Sequence, residues 1–318
     1  MKIVILDGYA ENPGDLSWDS IGQFGELTVY DRTPEAEILN RIGNAEVIFT
    51  NKTPLTRDVF EACPSIKYVG VLATGYNIVD VAAAKEFGVI VTSIPTYGTA
   101  AVAQYVFALL LELCHHVGHH SSTVKEGRWS SSADWCYWDY PLIELARKTM
   151  GIIGFGRIGK ATANIAVAMG LRVLVYDTKR DPAVETAHIQ YAGLDVLLRE
   201  SDVISLHCPL FESTREIIRS ETIAKMKDNV LLINTARGPL IRDADLAAAL
   251  KSGKVAGAAV DVLDEEPPKN GSPLIGARNC IVTPHIAWAP RESRARLMDI
   301  AAENLKAFLA GNPVNTVS

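Results

Sequence analysis

Short runs of valine, isoleucine and leucine alternate with helix-like stretches along this chain, and that alternation restricts its fold more than any other feature. In the first part the runs are Lys2–Leu6, Glu46–Thr50, Lys67–Leu72 and Gly88–Thr92, with helix-like stretches such as Pro34–Ile42 and Val79–Phe87 between them. Each run is nearly continuous in apolar residues, as a strand of a parallel sheet covered on both faces requires. A second series follows: Lys148–Ile153, Leu171–Asp177, Asp202–His207, Asn229–Asn234, Val255–Val260 and Cys280–Pro284. Two such series predict an α/β protein with two doubly wound parallel-sheet domains and a cleft between them. The last segment, Arg291 to Leu309, carries Leu297, Ile300, Ala301, Leu305, Phe308 and Leu309 at helical spacing before Gly311-Asn312-Pro313 stops it. A lone helix after the last strand returns to the first domain. The expected division is therefore 1–98 plus 287–318 against 99–286, with hinge crossings near 95–100 and 285–290.

Composition narrows the classes of function. At 318 residues the chain is long enough for two domains, and its net charge of −6 argues against nucleic acid as partner. Cys63, Cys114, Cys136, Cys208 and Cys280 are odd in number, widely spaced and form no CxxC, which suits buried thiols in a reducing compartment. Met1-Lys2 leads directly into a strand-like run, with no signal-peptide core. The apolar run Ala100 to Cys114 is interrupted by Gln104 and Glu112 and is short for a bilayer, so it reads as a buried core helix. The expectation is a soluble, cytoplasmic protein with no membrane partner.

Gly154-Phe155-Gly156-Arg157-Ile158-Gly159 has the spacing GxGxxG, a weak signal by itself. Its context strengthens it: a strand ends at Ile153, a helix follows over Ile158–Met169, and the next strand ends at Asp177. Gly154 permits a tight turn, Gly156 lets a pyrophosphate approach the backbone, and Gly159 lets helix and strand pack closely. The helix N-terminus then faces the phosphates. Asp177, about 20 residues on, is placed to accept hydrogen bonds from ribose hydroxyls and would repel a 2′-phosphate, so NAD is expected over NADP. The second domain is thus read as Rossmann-like.

Three polar groups follow strands of the second series: Arg237 after Asn229–Asn234, Glu266 after Val255–Val260, and His285 after Cys280–Thr283. With them stand Leu72-Ala73-Thr74-Gly75-Tyr76-Asn77, the glycine loop, Asn234–Leu246, Asp261–Pro267 and Thr283–Ala287. In that order, these segments closely resemble the D-isomer-specific 2-hydroxyacid dehydrogenases over nearly the whole chain. Thr50-Asn51-Lys52-Thr53-Pro54-Leu55, Val102-Ala103-Gln104, Trp135–Asp139, His285-Ile286-Ala287-Trp288 and Asn312–Asn315 look most like the glycerate dehydrogenase (hydroxypyruvate reductase) branch. The resemblance implies NAD-dependent reduction of a small 2-keto acid, with hydroxypyruvate foremost and 3-phosphohydroxypyruvate or glyoxylate as alternatives. It implies His285 as acid and base, with Glu266 orienting its ring and favouring the charged form. Arg237 would polarise the keto oxygen and grip the carboxylate. Cofactor contacts map onto Thr74, Arg157, Ile158, Asp177, Cys208, Thr235, Ala236, Arg237, Asp261 and His285, beside the three glycines. Asp261 is assigned to the nicotinamide carboxamide, and Cys208 to a backbone contact without redox chemistry. Ala73, Thr74 and Gly75 would present backbone N–H groups to the substrate, and Asn51, Lys52, Tyr76 and Trp288 would line its pocket.

Other features invite different readings. His115, His116, His119 and His120 have helical spacing that can hold a metal, yet no Cys or carboxylate cluster accompanies them, and no metal is expected. His207 reads as a structural histidine. Trp129, Trp135, Tyr137 and Trp138 form an aromatic concentration that reads equally as a core-covering loop or as a homodimer contact. A non-enzymatic NAD-sensing co-repressor of the same fold is the alternative from another class.

Overall fold

The computed structural model describes residues 1–317, which divide into two compact units: Met1–Gly98 with the stretch from Trp288 onward, and Thr99–Ala287. In the first unit β1 (Lys2–Ile5), β2 (Glu26–Val29), β3 (Val47–Thr50), β4 (Tyr68–Val71) and β5 (Ile90–Thr92) alternate with α1 (Asp19–Gly22), α2 (Ile38–Ile42), α3 (Arg57–Ala62) and α4 (Val81–Glu86). The strands form one parallel sheet in the order β2-β1-β3-β4-β5. Successive side chains of a strand point to opposite faces. Ile3, Ile5, Val47 and Phe49 accordingly enter one core cluster, while Val4, Leu6 and Ile48 enter another. Both faces are therefore covered, which is why these strands read as unbroken apolar runs rather than as alternation.

The second unit contains α5 (Thr99–His115), α6 (Val117–Lys125), β6 (Thr149–Ile153), α7 (Arg157–Ala168), β7 (Arg172–Tyr176), β8 (Ile189–Tyr191), α8 (Leu194–Glu200) and β9 (Val203–Leu206). After them come α9 (Ser220–Ala224), β10 (Val230–Asn234), α10 (Asp243–Ser252), β11 (Val255–Val260) and β12 (Cys280–Val282). Its seven parallel strands run β12-β11-β10-β9-β6-β7-β8. Met150, Ile152, Val173 and Ile233 pack with Val106, Phe107 and Leu110 of α5 on one face, and Ile204, Leu206, Leu232 and Val260 fill the other. The run Ala100–Cys114 is thus a core helix. Among the described residues no single helix is long and apolar enough to cross a membrane, and the successive helices α5 and α6 are bent by 57° where they meet.

The chain then re-enters the first unit through α11 (Arg291–Leu309), whose Leu297, Met298, Ala301 and Leu305 join the cluster beneath β1, β3 and β4. Two polar ties fix this helix. Asn304 Nδ2 donates to the Ser93 carbonyl at 3.1 Å. The Arg294 guanidinium donates to both Asp15 oxygens at 2.8 and 2.6 Å, to the Glu11 carbonyl at 2.9 Å and to the Ala289 carbonyl at 2.9 Å. An ammonium cannot reproduce that planar fork. Arg294→Lys is therefore expected to lower Tm by several degrees in a thermal melt, and a melt superimposing on wild type would refute the role given to the fork.

β2 and β8, the two sheet-edge strands absent from the apolar-run reading, are short; β2 is largely exposed, and β8 carries the exposed Gln190 between buried Ile189 and half-buried Tyr191. Glu26-Leu27-Thr28-Val29 lacks a continuous apolar run because an edge strand is not buried on both faces.

Candidate active site

In the second unit the chain runs outward through β6, β7 and β8, then begins again beside β6 with β9 and runs the other way through β10, β11 and β12. The connections after β6 and β9 therefore leave the sheet in opposite directions, opening a crevice at the carboxyl ends of the strands, where ligands of α/β sheets bind. Gly154 follows β6, Asp177 follows β7 and Cys208 follows β9. Arg237, Glu266 and His285 follow β10, β11 and β12, three neighbours. All strands being parallel, these residues share one edge of one sheet.

The glycine loop is shaped by close approach. Gly154 adopts φ +94°, and a Cβ there would lie 2.4 Å from the Cys208 backbone nitrogen. A Cβ on Gly159 would lie 2.3 Å from the Gly154 carbonyl oxygen, whereas Gly156 faces open space. Arg157 and Ile158 begin α7, whose N-terminus no side chain caps. Asp177 accepts from Phe155 N at 2.6 Å and from Lys179 N at 2.9 Å, which ties the loop to β7 and leaves a carboxylate with further acceptor sites. Cys208 is buried, and burial pushes its thiol up to about 11, so its part in the loop is its backbone. Thr235 Oγ1 is buried with no hydrogen-bond partner among the described residues. An open cradle at Gly156, an uncapped helix and this orphan hydroxyl fit a dinucleotide.

The other half of the edge carries the acid–base groups. His285 Nδ1 and Glu266 Oε2 are 2.6 Å apart, each side chain about a third exposed. Glu266 is itself held, its Oε1 accepting from Leu263 N at 3.0 Å. Asn234 clamps the turn before Arg237: its Oδ1 accepts from Ala236 N at 3.0 Å, and its Nδ2 donates to the Arg237 carbonyl at 2.8 Å. The Arg237 side chain is exposed, with Nη1 donating to the Ala236 carbonyl at 2.6 Å. A Cβ on Gly238 would fall 1.9 Å from the Leu263 oxygen, so the arginine turn lies directly on the backbone leading to Glu266.

Asp261 has a part that the sequence reading did not assign. Almost wholly buried, it accepts from Thr283 Oγ1 at 2.6 Å, Ile286 N at 2.9 Å and Ala287 N at 2.8 Å. These bonds grip the loop on both sides of His285, which stands at φ +55°, uncommon outside glycine. They also draw Ala287 into the second unit. The signal was a lone carboxylate at a strand end, but its partners lie more than twenty residues on.

In the first unit, Asn51 follows β3, and Ala73, Thr74 and Gly75 follow β4. Thr74 Oγ1 donates to the Ile94 carbonyl at 2.7 Å, and the Ala73 carbonyl accepts from Ile94 N at 3.0 Å. Thr74 and Gly75 backbone N–H groups donate to nothing among the described residues, so the turn can receive an anion. Lys52 and Tyr76 are exposed, and Trp288 meets the Tyr97 ring edge-on with centroids 6.3 Å apart.

The histidine cluster forms protein contacts. His119 Nε2 lies 2.6 Å from Asp139 Oδ2, which also pairs with Arg128, and those bonds hold the Asp139 carboxyl far below its usual range. His120 donates from Nδ1 to the His116 carbonyl at 2.9 Å and accepts at Nε2 from Asp139 N at 3.2 Å. Among the described residues no group of three His, Cys, Asp or Glu is arranged to hold a metal ion. His207 Nε2 bonds Ser205 Oγ at 2.8 Å, and burial pulls the ring down to about 4, which leaves it neutral.

The family model of the D-isomer specific 2-hydroxyacid dehydrogenase NAD binding domain matches residues 107–287. A hydroxypyruvate reductase of Blautia hydrogenotrophica is 60% identical over 321 aligned residues covering 100% of both chains. A glycerate dehydrogenase of Methylorubrum extorquens is 42% identical over 90% of this chain and 89% of its own. The structure of a D-lactate dehydrogenase with NAD+ from Lactobacillus jensenii superimposes with a TM-score of 0.83 at 30% identity, covering 100% of this chain and 99% of that one. The chain belongs to the D-isomer-specific 2-hydroxyacid dehydrogenases, oxidoreductases acting on CH–OH donors, and its cofactor is NAD.

Gly159→Ala places a methyl group against the Gly154 carbonyl and must move the loop. Calorimetric titration with NADH should show affinity reduced by roughly tenfold or more, and unaltered affinity would show that the close approach is dispensable.

Proposed function

We propose that this chain reduces hydroxypyruvate to D-glycerate with NADH, with glyoxylate as a second substrate. The observation that carries the reading is the His285–Glu266 pair, 2.6 Å apart at the ends of adjacent strands and beside the turn of Arg237. The full-length likeness to a hydroxypyruvate reductase supports the choice among 2-keto acids. In this reading residues 99–287 bind the cofactor, and 1–98 with the stretch from 288 onward supply the substrate domain.

When bound, the reduced nicotinamide supplies the hydride. Gly154, Gly156, Arg157, Ile158 and Gly159 would hold its pyrophosphate, Asp177 its ribose, and Thr74, Cys208, Thr235, Ala236, Arg237, Asp261 and His285 the remainder. Glu266 accepts the Nδ1 hydrogen of His285, which assigns proton delivery to Nε2 and fixes the ring plane. His285 gives its proton to the keto oxygen as negative charge develops there. Arg237 stabilises that oxygen and grips the carboxylate, to which the N–H groups of Ala73, Thr74 and Gly75 also donate. Asn51, Lys52 and Trp288 line the pocket for the substrate side chain.

The aromatic segment belongs to this reading as well. Trp129, Trp135 and Trp138 are exposed, Trp135 to 86%, and Trp129 and Trp138 line one open apolar hollow with Val124 and Leu142. Exposed patches of this kind usually mark contacts, and we assign this one to a homodimer in the cytoplasm. Sedimentation of a Trp135→Ala, Trp138→Ala double variant should show weakened association; association equal to wild type would refute the assignment.

The reaction itself is tested with hydroxypyruvate, glyoxylate, pyruvate and 3-phosphohydroxypyruvate against NADH and NADPH, followed by absorbance loss. Hydroxypyruvate with NADH is expected to give the highest kcat/KM, and absent turnover of it or preference for the phosphorylated acid would overturn the proposal. His285→Ala is expected to lower kcat by roughly 10²–10⁴-fold with NADH affinity retained, and loss of NADH affinity instead would show the residue misassigned.

A further inference from the structure

Three neighbouring strands of the first unit, β1, β3 and β4, end in a polar cluster that the reaction scheme leaves unexplained. The strand order β2-β1-β3-β4-β5 changes direction between β1 and β3, which places a ligand-binding crevice at their carboxyl ends. Asp7, just beyond β1, accepts from Asn51 N at 2.8 Å, Lys52 N and Thr53 N at 2.7 Å, pinning the start of the next loop. Glu11 lies in the loop after β1, wholly buried, with Oε1 against Asn51 Nδ2 and Oε2 without a partner. The same Asn51 Nδ2 donates to the Leu72 carbonyl at 3.2 Å.

These contacts determine which way the Asn51 amide points. The Leu72 carbonyl can only accept, so the nitrogen end must face Leu72 and Glu11. Both amide hydrogens are then used inside the protein. Oδ1 accepts no bond from the described residues, and Asn51 keeps 7% of its surface exposed at the carboxyl end of β3. What remains for a ligand is an acceptor alone, which selects a donor such as a hydroxyl.

We propose that Glu11 is a positioning residue: its carboxyl and the Leu72 carbonyl fix the Asn51 amide so that Oδ1 accepts the hydrogen of the hydroxyl on C3 of hydroxypyruvate. The proposal rests on the substrate reading above and extends it to the group that separates hydroxypyruvate from pyruvate, whose methyl has nothing to donate. A carboxylate with one oxygen unbonded in a dry site is costly, and burial pushes the Glu11 carboxyl up to about 8. Its charged neighbours do not neutralise it. Asp7 opposes ionisation, Lys52 favours it only weakly, and Arg294 spends its donors on Asp15 and on the Glu11 and Ala289 carbonyls. Glu11 therefore serves as an uncharged acid, and glutamine can replace it.

The test compares kcat/KM for hydroxypyruvate and pyruvate in wild type, Asn51→Ala, Glu11→Ala and Glu11→Gln. The ratio of the two should fall about tenfold in both alanine variants, the scale of one lost hydrogen bond with its partner left unmatched, and return in Glu11→Gln. An unchanged ratio in Asn51→Ala, equal losses on both substrates in Glu11→Ala, or a Glu11→Gln enzyme no better than Glu11→Ala would each overturn it. Wild-type enzyme inert toward hydroxypyruvate would instead remove the substrate reading beneath it. A second measurement needs no turnover and no alanine variant. The folded state keeps a proton on Glu11 that the unfolded chain releases, so this group's stability is whole below about pH 4.5 and is lost as pH rises to about 8. The Tm of Glu11→Gln should gain on wild type across that window, and a constant difference would refute the uncharged acid.

Discussion

A parallel sheet delivers every strand to the same edge, and the second unit depends on that constraint. Arg237, Glu266 and His285 stand 29 and 19 positions apart along the chain, and they are neighbours because β10, β11 and β12 are neighbours. The hydrogen bonds of the β10–β11 and β11–β12 ladders thus act at a distance, setting the separation of groups that no local turn could assemble. Fine placement is left to short polar ties: Asn234 for the arginine turn, Leu263 N for the glutamate, Asp261 for the histidine loop. Asp261 is the most consequential of these. Buried and bonded three times, it holds a loop whose His285 backbone stands in a conformation that side-chain-bearing residues seldom adopt.

The first unit solves a different problem with similar means. Its sheet is covered on both faces, so polar groups accumulate only where strands end. There Asp7 satisfies three backbone N–H groups with one carboxylate, while Glu11 satisfies a side-chain amide and leaves an oxygen unpartnered. Buried polar atoms without partners are rare because desolvation is not repaid. Thr235 Oγ1 in the second unit and Glu11 Oε2 in the first are both of this kind, and both sit at the carboxyl edge of a sheet. One fits a cofactor contact, the other an acid kept neutral by its surroundings.

Much of this was legible in the sequence, for physical reasons. Strands buried on both faces must be apolar throughout, so β3, β4, β6, β9 and β10 announce themselves, and α11 does so through its stripe of leucines. The glycine loop was legible because Gly154 and Gly159 answer steric demands that no other residue meets. The edge strand β2 was not, because exposure removes the apolar run, nor was β8, whose three residues have a glutamine at their centre. Nor was the second task of Asp261 or the part of Glu11, since each depends on partners brought close only by the finished sheets. Asn51 could be singled out by resemblance, yet the direction of its amide follows only from Leu72 and Glu11.

The mechanism requires the His285 ring to be held in one tautomer by Glu266. Nitrogen-15 NMR of the His285 ring in the NAD-bound protein reads this directly across a pH titration. The geometry predicts that Nδ1 keeps its hydrogen at every pH and that Nε2 alone gains and loses one. A ring that sheds its Nδ1 hydrogen on becoming neutral would contradict the assignment of proton transfer to Nε2, and with it the mechanism.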